Sequence, residues 1–547
     1  MLKKRILIPV LLVSFFVTGF VVVTKDLFFE ISKNIDIFTR VYKEITFNYV
    51  DEINPEQFLR AGIKGMLNTL DPYTVFIDEK RKDDIDYITN GKYGGVGISI
   101  GVRDNSVTIL ELMDGYSAQR QGIKVGDIIH KVEETLISKE NYDDVSYLVK
   151  GEPGTAVSMT VIRASSDTLI FKLVREEIVV KNIPYFGFYP ENSNNAYIKL
   201  NGFTRTAGDE FRKALIELRK QKQVNSIILD LRGNPGGLLD VAVDVTNKFI
   251  KKGELIVSTK GRDSSSLKQY FASQEPMFPD NKLIVLVNEG SASASEIVAG
   301  AVQDHDRGII LGAKTFGKGL VQTITPLSYN TSLKITTAKY FTPSGRCIQK
   351  IDYSLKNSSI SKYDTVISNS FKTDNKRSVF SSGGITPDSL VEESEYSDIT
   401  RDLMAKGFIF KFINELQNNN PDALYSDYKP NTLYDDFRKF LSANNYIYKS
   451  NNNKKIDELR KSIVKDKKYG SVIDKLSSLE KELQVIDSEM IDDKKDEISI
   501  FLKIELASRF FGSEGRIKVS LDDDKQLQSA LNLLQNEVAF NKILNKL

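Results

Sequence analysis

Three times in the middle third of this 547-residue chain an apolar run ends in an unusual turn, and that repetition constrains the fold more than any other feature. Ser226-Ile-Ile-Leu-Asp-Leu231 runs into Arg232-Gly-Asn-Pro-Gly236-Gly237. Leu283–Val287 gives way to Gly290-Ser-Ala-Ser293-Ala-Ser-Glu296. Gly312 leads to Thr315-Phe-Gly-Lys318-Gly319, with Gln322 four residues after the lysine. Short apolar runs bounded by turn residues read as buried strands. Their alternation with helical stretches from Ala196 to Gln322 predicts a mostly parallel sheet flanked by helices.

Each turn carries a residue suited to acyl transfer and also has a plainer reading. A serine hydroxyl needs a neighbouring base before it is a useful nucleophile. The chain has two histidines, His130 and His305. His305 falls late in the helix that Ser293 starts and is expected to point away from it, which leaves lysine as the candidate base. The glycine turn after Leu231 can offer backbone N–H groups to a developing oxyanion. Against this, Ser293-Ala-Ser-Glu296 also fits a capping box, and the glycine turn fits a plain strand-to-helix connection. Gly312–Lys318 fits the first seven positions of a phosphate-binding loop. The eighth position is Gly319 rather than Ser or Thr, and Leu320–Thr325 reads as a strand where such a loop should open a helix.

The motifs in sequence resemble the carboxy-terminal processing (tail-specific) peptidases. The resemblance rests on Asp230–Gly237, Gly290–Glu296, Thr315–Gln322, Tyr340-Phe-Thr-Pro-Ser-Gly-Arg346, Gly383-Gly-Ile-Thr-Pro-Asp388 and Leu70-Asp-Pro-Tyr-Thr74, and it covers roughly residues 35–395. It implies Ser293 as nucleophile, Lys318 as general base and Gln322 as the residue that orients the lysine. It also implies the backbone N–H groups of Gly237 and Ala294 as the oxyanion hole, although Gly236 is adjacent and geometry must separate the two glycines. The implied core is a crotonase-like α/β fold, and no metal, nucleotide or organic cofactor is implied. Lysine can act as a base near neutrality only if burial lowers its pKa from about 10.4. Two other readings keep the fold and change the function: a crotonase-like acyl-CoA enzyme and a non-catalytic PDZ scaffold.

The whole is expected to be a multidomain α/β protein, since single cores stop growing near 250–300 residues. Residues 25–91 read as an N-terminal helical segment. Residues 92–178 look like a β-rich PDZ domain, whose Gly94–Ile98 loop (Gly95, Val96, Gly97 and Ile98) would receive a substrate's terminal carboxylate on its amides. Residues 179–395 are the expected catalytic core, with Asp352–Ser382 as an exposed excursion. Residues 396–547 read as a helical domain with a polar break at Asn451–Lys455, a candidate surface for an adaptor or a second copy.

Charge and the N-terminus bound the setting. Lys plus Arg (75) nearly cancel Asp plus Glu (73), which argues against a nucleic-acid partner. Met1-Leu-Lys-Lys-Arg5 precedes an uncharged apolar run, Ile6 to Val23. Residues 1–24 therefore read as a signal peptide or membrane anchor, with everything after residue 25 outside the cytoplasm. The expected location is periplasmic or anchored to the inner membrane. Cys347, the only cysteine, excludes an internal disulfide. The expected partners are protein substrates with free C-termini.

Overall fold

In the computed structural model, residues 27–79, 91–163, 167–353, 369–381, 383–465 and 467–546 are described. The apolar run Ile6–Val23 lies outside them. Among the described residues no helix is long and apolar enough to cross a membrane.

The chain opens with helix α1 (27–48) and helix α2 (Pro55–Leu67). Proline at the first helical turn and Asn54, whose side chain accepts the Gln57 N–H, fix the start of α2. Among the described residues of 25–91, a segment expected to be helical, the chain is not helical throughout. Asp71 caps the turn at Tyr73 and Thr74, and Val75–Ile77 is a strand, β1.

Next comes a compact β domain with strands β2 (Lys92–Gly95), β3 (Ile98–Arg103), β4 (Ser106–Leu112), β5 (Ile128–Val132), β6 (Thr135–Leu136), β7 (Ala156–Arg163), β8 (Asp167–Val174) and β9 (Glu176–Val179). Helix α3 (Tyr142–Val149) packs on it. The main sheet runs β3-β4-β5-β7-β8 with β6 on β5, while β2 pairs with β9. Its core holds Val107, Ile109, Ile129, Met159 and Leu173.

The expected catalytic region, 179–395, builds a second sheet from β10 (Tyr185–Phe188), β11 (Asn195–Lys199), β12 (Ser226–Asp230), β15 (Lys282–Val287), β16 (Ile309–Gly312) and β21 (Ser389–Leu390), in that order. Every pairing after β10/β11 is parallel. Helices α4 (Ala207–Gln221), α5 (Leu239–Thr246) and α6 (Ala294–Asp304) are the crossovers and cover one face with Phe211, Leu215, Val245 and Val298. A further antiparallel sheet, not anticipated from sequence, joins β13 (Leu255–Gly261), β14 (Lys268–Phe271), β17 (Leu320–Pro326) and β18 (Ser332–Phe341). Strand β1 adds to its edge, pairing Val75 with Lys334. The described part of the expected excursion at 352–382 is not simply exposed. It forms a hairpin, β19 (Ser370–Lys372) and β20 (Ser378–Phe380), tied to the end of α6 by Asp374 with His305 and by Arg377 with Asp306.

The C-terminal region is helical: α7 (Asp398–Ala405), α8 (Phe408–Asn419), α9 (Pro430–Ala443), α10 (Asn451–Ile463), α11 (Gly470–Asp493), α12 (Lys495–Ser520), α13 (Lys525–Gln535) and α14 (Glu537–Ile543). Asn451–Lys455 is no break. The Ser450 side chain caps α10, and buried Asn453 bonds Asp487 on α11. Residues 396–547 also do not form one separate body. Ile399 to Leu506 share a core of their own, with Phe412, Phe437 and Leu441. Leu527, Leu531, Leu534 and Phe540 instead pack on Ile228, Ile284, Leu286 and Leu311, the second face of the parallel sheet. A parallel sheet needs cover on both faces, and the last two helices supply it.

Candidate active site

Ser293 sits where β15 turns into α6, with φ 55° and ψ −112°. A non-glycine residue held there costs about 1–3 kcal/mol and persists only when its surroundings over-determine it. They do so here. The Glu296 carboxylate accepts the Ser293 N–H at 2.8 Å, and the Tyr340 hydroxyl donates to the Ser293 carbonyl at 3.2 Å. Helix α6 is buried along its whole length, so its positive end faces the serine in a low dielectric.

The glycine turn is stitched to the serine turn. Asn288 Oδ1 accepts the N–H of Gly233 and of Gly290, and Ser291 Oγ donates to the Leu231 carbonyl at 2.8 Å. The Asn234 carbonyl accepts Ser295 Oγ at 2.9 Å and the Ala292 N–H at 3.0 Å. Asn234 Oδ1 also takes the Gly236 N–H at 2.9 Å. Among the described residues no hydrogen bond engages the N–H of Gly237 or Ala294. A Cβ on Gly236 would stand 2.9 Å from Ala294 N, and one on Gly237 would stand 2.4 Å from the Phe203 carbonyl oxygen. Both turns meet there with no room for a side chain.

Lys318 lies in the loop between β16 and β17, and Glu296 holds that loop too. Its carboxylate accepts Thr315 Oγ1 (2.6 Å) and the N–H groups of Gly317 (2.8 Å) and Lys318 (2.9 Å). Glu296 is fully buried. Burial pushes its pKa up to about 7, against the pull of those hydrogen bonds. Read from sequence as a helix cap, Glu296 proves to be the tie between the serine and lysine segments. The available signal was a carboxylate followed immediately by Ile297-Val298-Ala299, a run too apolar for a solvated helix face.

Burial also lowers the Lys318 pKa, to about 8, with the charge of Lys334 acting in the same direction and Glu296 and Asp71 opposing. The Lys318 ammonium stands 4.6 Å from the centre of the Tyr73 ring. Tyr73 arrives from the segment before β1, and Thr74 Oγ1 accepts the Thr336 N–H on β18. Gln322 occupies a bulge on β17, and its amide donates to Thr336 Oγ1 at 3.2 Å. Among the described residues no hydrogen bond joins Lys318 Nζ to Ser293 Oγ or to Gln322.

Ser293, Ala294, Gly237, Lys318 and Gln322 nonetheless line one cleft of about 430 Å³. Its other walls include Leu238, Ile297 and Ile324, and Lys334 is a second cation there that sequence reasoning missed. His305 lies elsewhere, its ring bound between Asp374 (2.8 Å) and the Leu255 carbonyl (2.7 Å). Among the described residues no group of three or more His, Cys, Asp or Glu is placed to hold a metal ion.

Gly95, Val96, Gly97 and Ile98 do not line this cleft. They form the turn from β2 into β3, with Gly97 at φ 81°. The Val96 and Gly97 carbonyls accept the N–H groups of Ala118 and Met113. A Cβ on Gly94 would meet the Gly151 carbonyl oxygen at 1.8 Å, so that turn too depends on glycine. Strand β3 is the edge of its sheet, and its Ile100 carbonyl accepts the Tyr142 hydroxyl of α3 at 3.1 Å.

Residues 194–356 match peptidase family S41. Residues 24–81 match the activating protease CtpB N-terminal domain, 85–162 a PDZ domain, and 399–534 the probable PDZ-protease C-terminal helical domain. The chain is 36% identical over 323 residues to the carboxy-terminal-processing protease of Bartonella bacilliformis, spanning 58% of this chain and 73% of that one. It is 36% identical over 310 residues to a probable CtpA-like serine protease of Staphylococcus haemolyticus, spanning 56% of this chain and 61% of that one, a little under two thirds of its length. Among solved structures it is similar to the photosystem II D1 C-terminal processing protease, at 26% identity, 65% and 92% coverage of the two chains and a TM-score of 0.35.

Proposed function

The chain belongs to peptidase family S41, the carboxy-terminal-processing proteases, and on that premise we propose an exported serine endopeptidase that works through a Ser293–Lys318 dyad on proteins selected by their C-terminal tails. The observation that carries this reading is Glu296. One buried carboxylate accepts the N–H of Ser293 and the N–H of Lys318, so the two residues are fixed on opposite sides of one bond network around one cleft.

The chemistry follows from the surroundings. With its pKa lowered to about 8, Lys318 has an appreciable neutral fraction near pH 7. The neutral amine leaves the Tyr73 face, takes the proton from Ser293 Oγ, and the alkoxide attacks a peptide carbonyl. The negative oxygen that forms is received by the unengaged N–H groups of Gly237 and Ala294 at the positive end of α6. Gly236 is excluded from that role because Asn234 already takes its N–H. Protonated Lys318 then donates to the leaving amine, and the face of Tyr73 suits the ammonium form. Gln322, once its amide turns from Thr336, holds the amine without adding a charge that would raise its pKa. Water clears the acyl-enzyme.

A substrate tail is read by the PDZ domain, as an added strand on the β3 edge with its carboxylate on the Gly95–Ile98 amides. Pairing there displaces the Tyr142 hydroxyl from Ile100. Residues 1–24 carry the chain out of the cytoplasm. Incubation with unfolded casein tests the dyad. The wild-type protein cleaves it, and the Ser293→Ala and Lys318→Ala forms do not. Lys318→Arg also fails, since arginine stays protonated at working pH. Normal turnover by the arginine form would remove lysine from the base role.

A further inference from the structure

The first residue of the glycine turn is held from the far end of the chain. Arg232 has five N–H donors, and all five are used. Nε and Nη2 bond the Asp230 carboxylate (3.0 and 2.5 Å), Nη1 and Nη2 bond the Asp524 carboxylate (3.0 and 2.6 Å), and Nη1 also reaches Gln526 Oε1 (3.0 Å). Asp524 lies 292 positions after Arg232. The network is closed on both sides. Asp230 also accepts the Tyr197 hydroxyl (2.7 Å) and Lys199 Nζ (3.1 Å), and Lys199 in turn bonds the Arg232 carbonyl (2.7 Å). Asp524 caps α13 by accepting the Leu527 N–H, and the buried Gln526 amide donates to the Val391 carbonyl. Two cations, Arg232 and Lys199, face two carboxylates, Asp230 and Asp524, with little water access. Burial pushes the Asp230 carboxyl upward, but the charges of Arg232 and Lys199 outweigh it and hold it well below the usual range.

We propose that Asp524 and Gln526 are positioning residues for the oxyanion turn, so that the C-terminal helices α13 and α14 complete the active site as well as covering the sheet. The inference rests on the reading of Gly237 as an oxyanion donor. Gly237 is five residues beyond Arg232, in a turn whose other supports are backbone bonds, the Asn234 side chain, and Asn288, Ser291 and Ser295 from the serine turn. A bidentate guanidinium–carboxylate pair is directional in a way that apolar packing is not. It fixes the plane in which the chain leaves β12 and therefore where the Gly237 N–H points. Displacing such a donor by a fraction of an ångström weakens transition-state binding while leaving ground-state contacts in the cleft intact.

The test uses the full chain carrying Asp524→Asn or Gln526→Met, with Asp524→Glu as the conservative control. Three quantities are read: kcat and KM for a fluorogenic peptide, the affinity of a peptide boronate, and the melting temperature. The boronate is captured as the Ser293 oxygen bonds boron and its proton passes to Lys318, giving a tetrahedral anion in the oxyanion hole. The expected result is a loss on the order of tenfold in kcat, matched by a similar loss in boronate affinity, with KM unchanged and partial recovery in Asp524→Glu. If Asp524→Asn does not fold, Gln526→Met removes one neutral acceptor without uncovering a charge and carries the same expectation. Variants that melt lower but keep kcat and boronate affinity would overturn the proposal, because the contact would then be structural only. Boronate captured equally well by Ser293→Ala would instead sink the serine reading, and the clamp with it.

Discussion

Acylation should climb with pH through the titration of Lys318. The side chain is largely buried, shares its cleft with Lys334 and has its pKa lowered to about 8. At pH 7 about one lysine in eleven is then neutral, against about one in 2,500 at the ordinary value. Burial and the neighbouring charge thus enrich the basic form on the order of 200-fold. From pH 6 to pH 9 the neutral fraction rises from about 1% to about 90%, so the single-turnover rate should rise roughly 90-fold. Glu296 titrates at about 7 within the same interval, and its ionised form raises the Lys318 pKa, so the limb should be broader than that of a single group. Lys334→Met supplies the sign test. Removing that positive charge favours protonated Lys318, which moves the limb to higher pH and slows acylation at pH 7. The assay is stopped-flow cleavage of a quenched peptide with enzyme in excess, with folding checked by circular dichroism at each pH. A flat profile between pH 6 and 9, or a limb that Lys334→Met moves to lower pH, refutes the reasoning.

Glu296→Ala leaves the N–H groups of Ser293, Gly317 and Lys318 without their buried acceptor. At about 1–3 kcal/mol for each orphaned donor, denaturant titration should show a loss of at least about 3 kcal/mol, with Glu296→Gln losing less. For tail reading, a substrate with an amidated C-terminus should be cut more slowly than the same substrate with a free carboxylate, and deleting residues 92–178 should abolish the difference. Equal rates in the full chain would make that domain a spacer. Removal of residues 1–24 should yield active protein in the soluble fraction, because no site residue precedes Asp71. Retention of the truncated form in membranes after a carbonate wash would place the anchor elsewhere.

The proposed nucleophile and base stand out in the sequence because their signals are local. Ser293 and Lys318 each follow an apolar run, and glycine-rich turns announce themselves within a few residues. The same locality explains the misreadings. Glu296 satisfies the local capping pattern, so nothing nearby reveals that its carboxylate also receives Thr315, Gly317 and Lys318, some twenty residues away. Asn451–Lys455 is polar enough to look like a break, yet Ser450 caps a helix there and Asp487 receives the buried Asn453 amide. Gly236 and Gly237 are indistinguishable in sequence, and the direction of one Asn234 side chain separates them.

By itself, then, the order of residues determined the parallel strands, their turns and the chemistry carried on them, since each depends on apolar periodicity and backbone freedom over short stretches. Only the tertiary structure decided that Tyr73 would stand against Lys318, that β1 would join β18, and that α13 would cover the sheet and grip Arg232. Those contacts join positions some 240 to 290 residues apart, where an amphipathic helix or a short strand shows that it needs a partner but not which surface will be that partner.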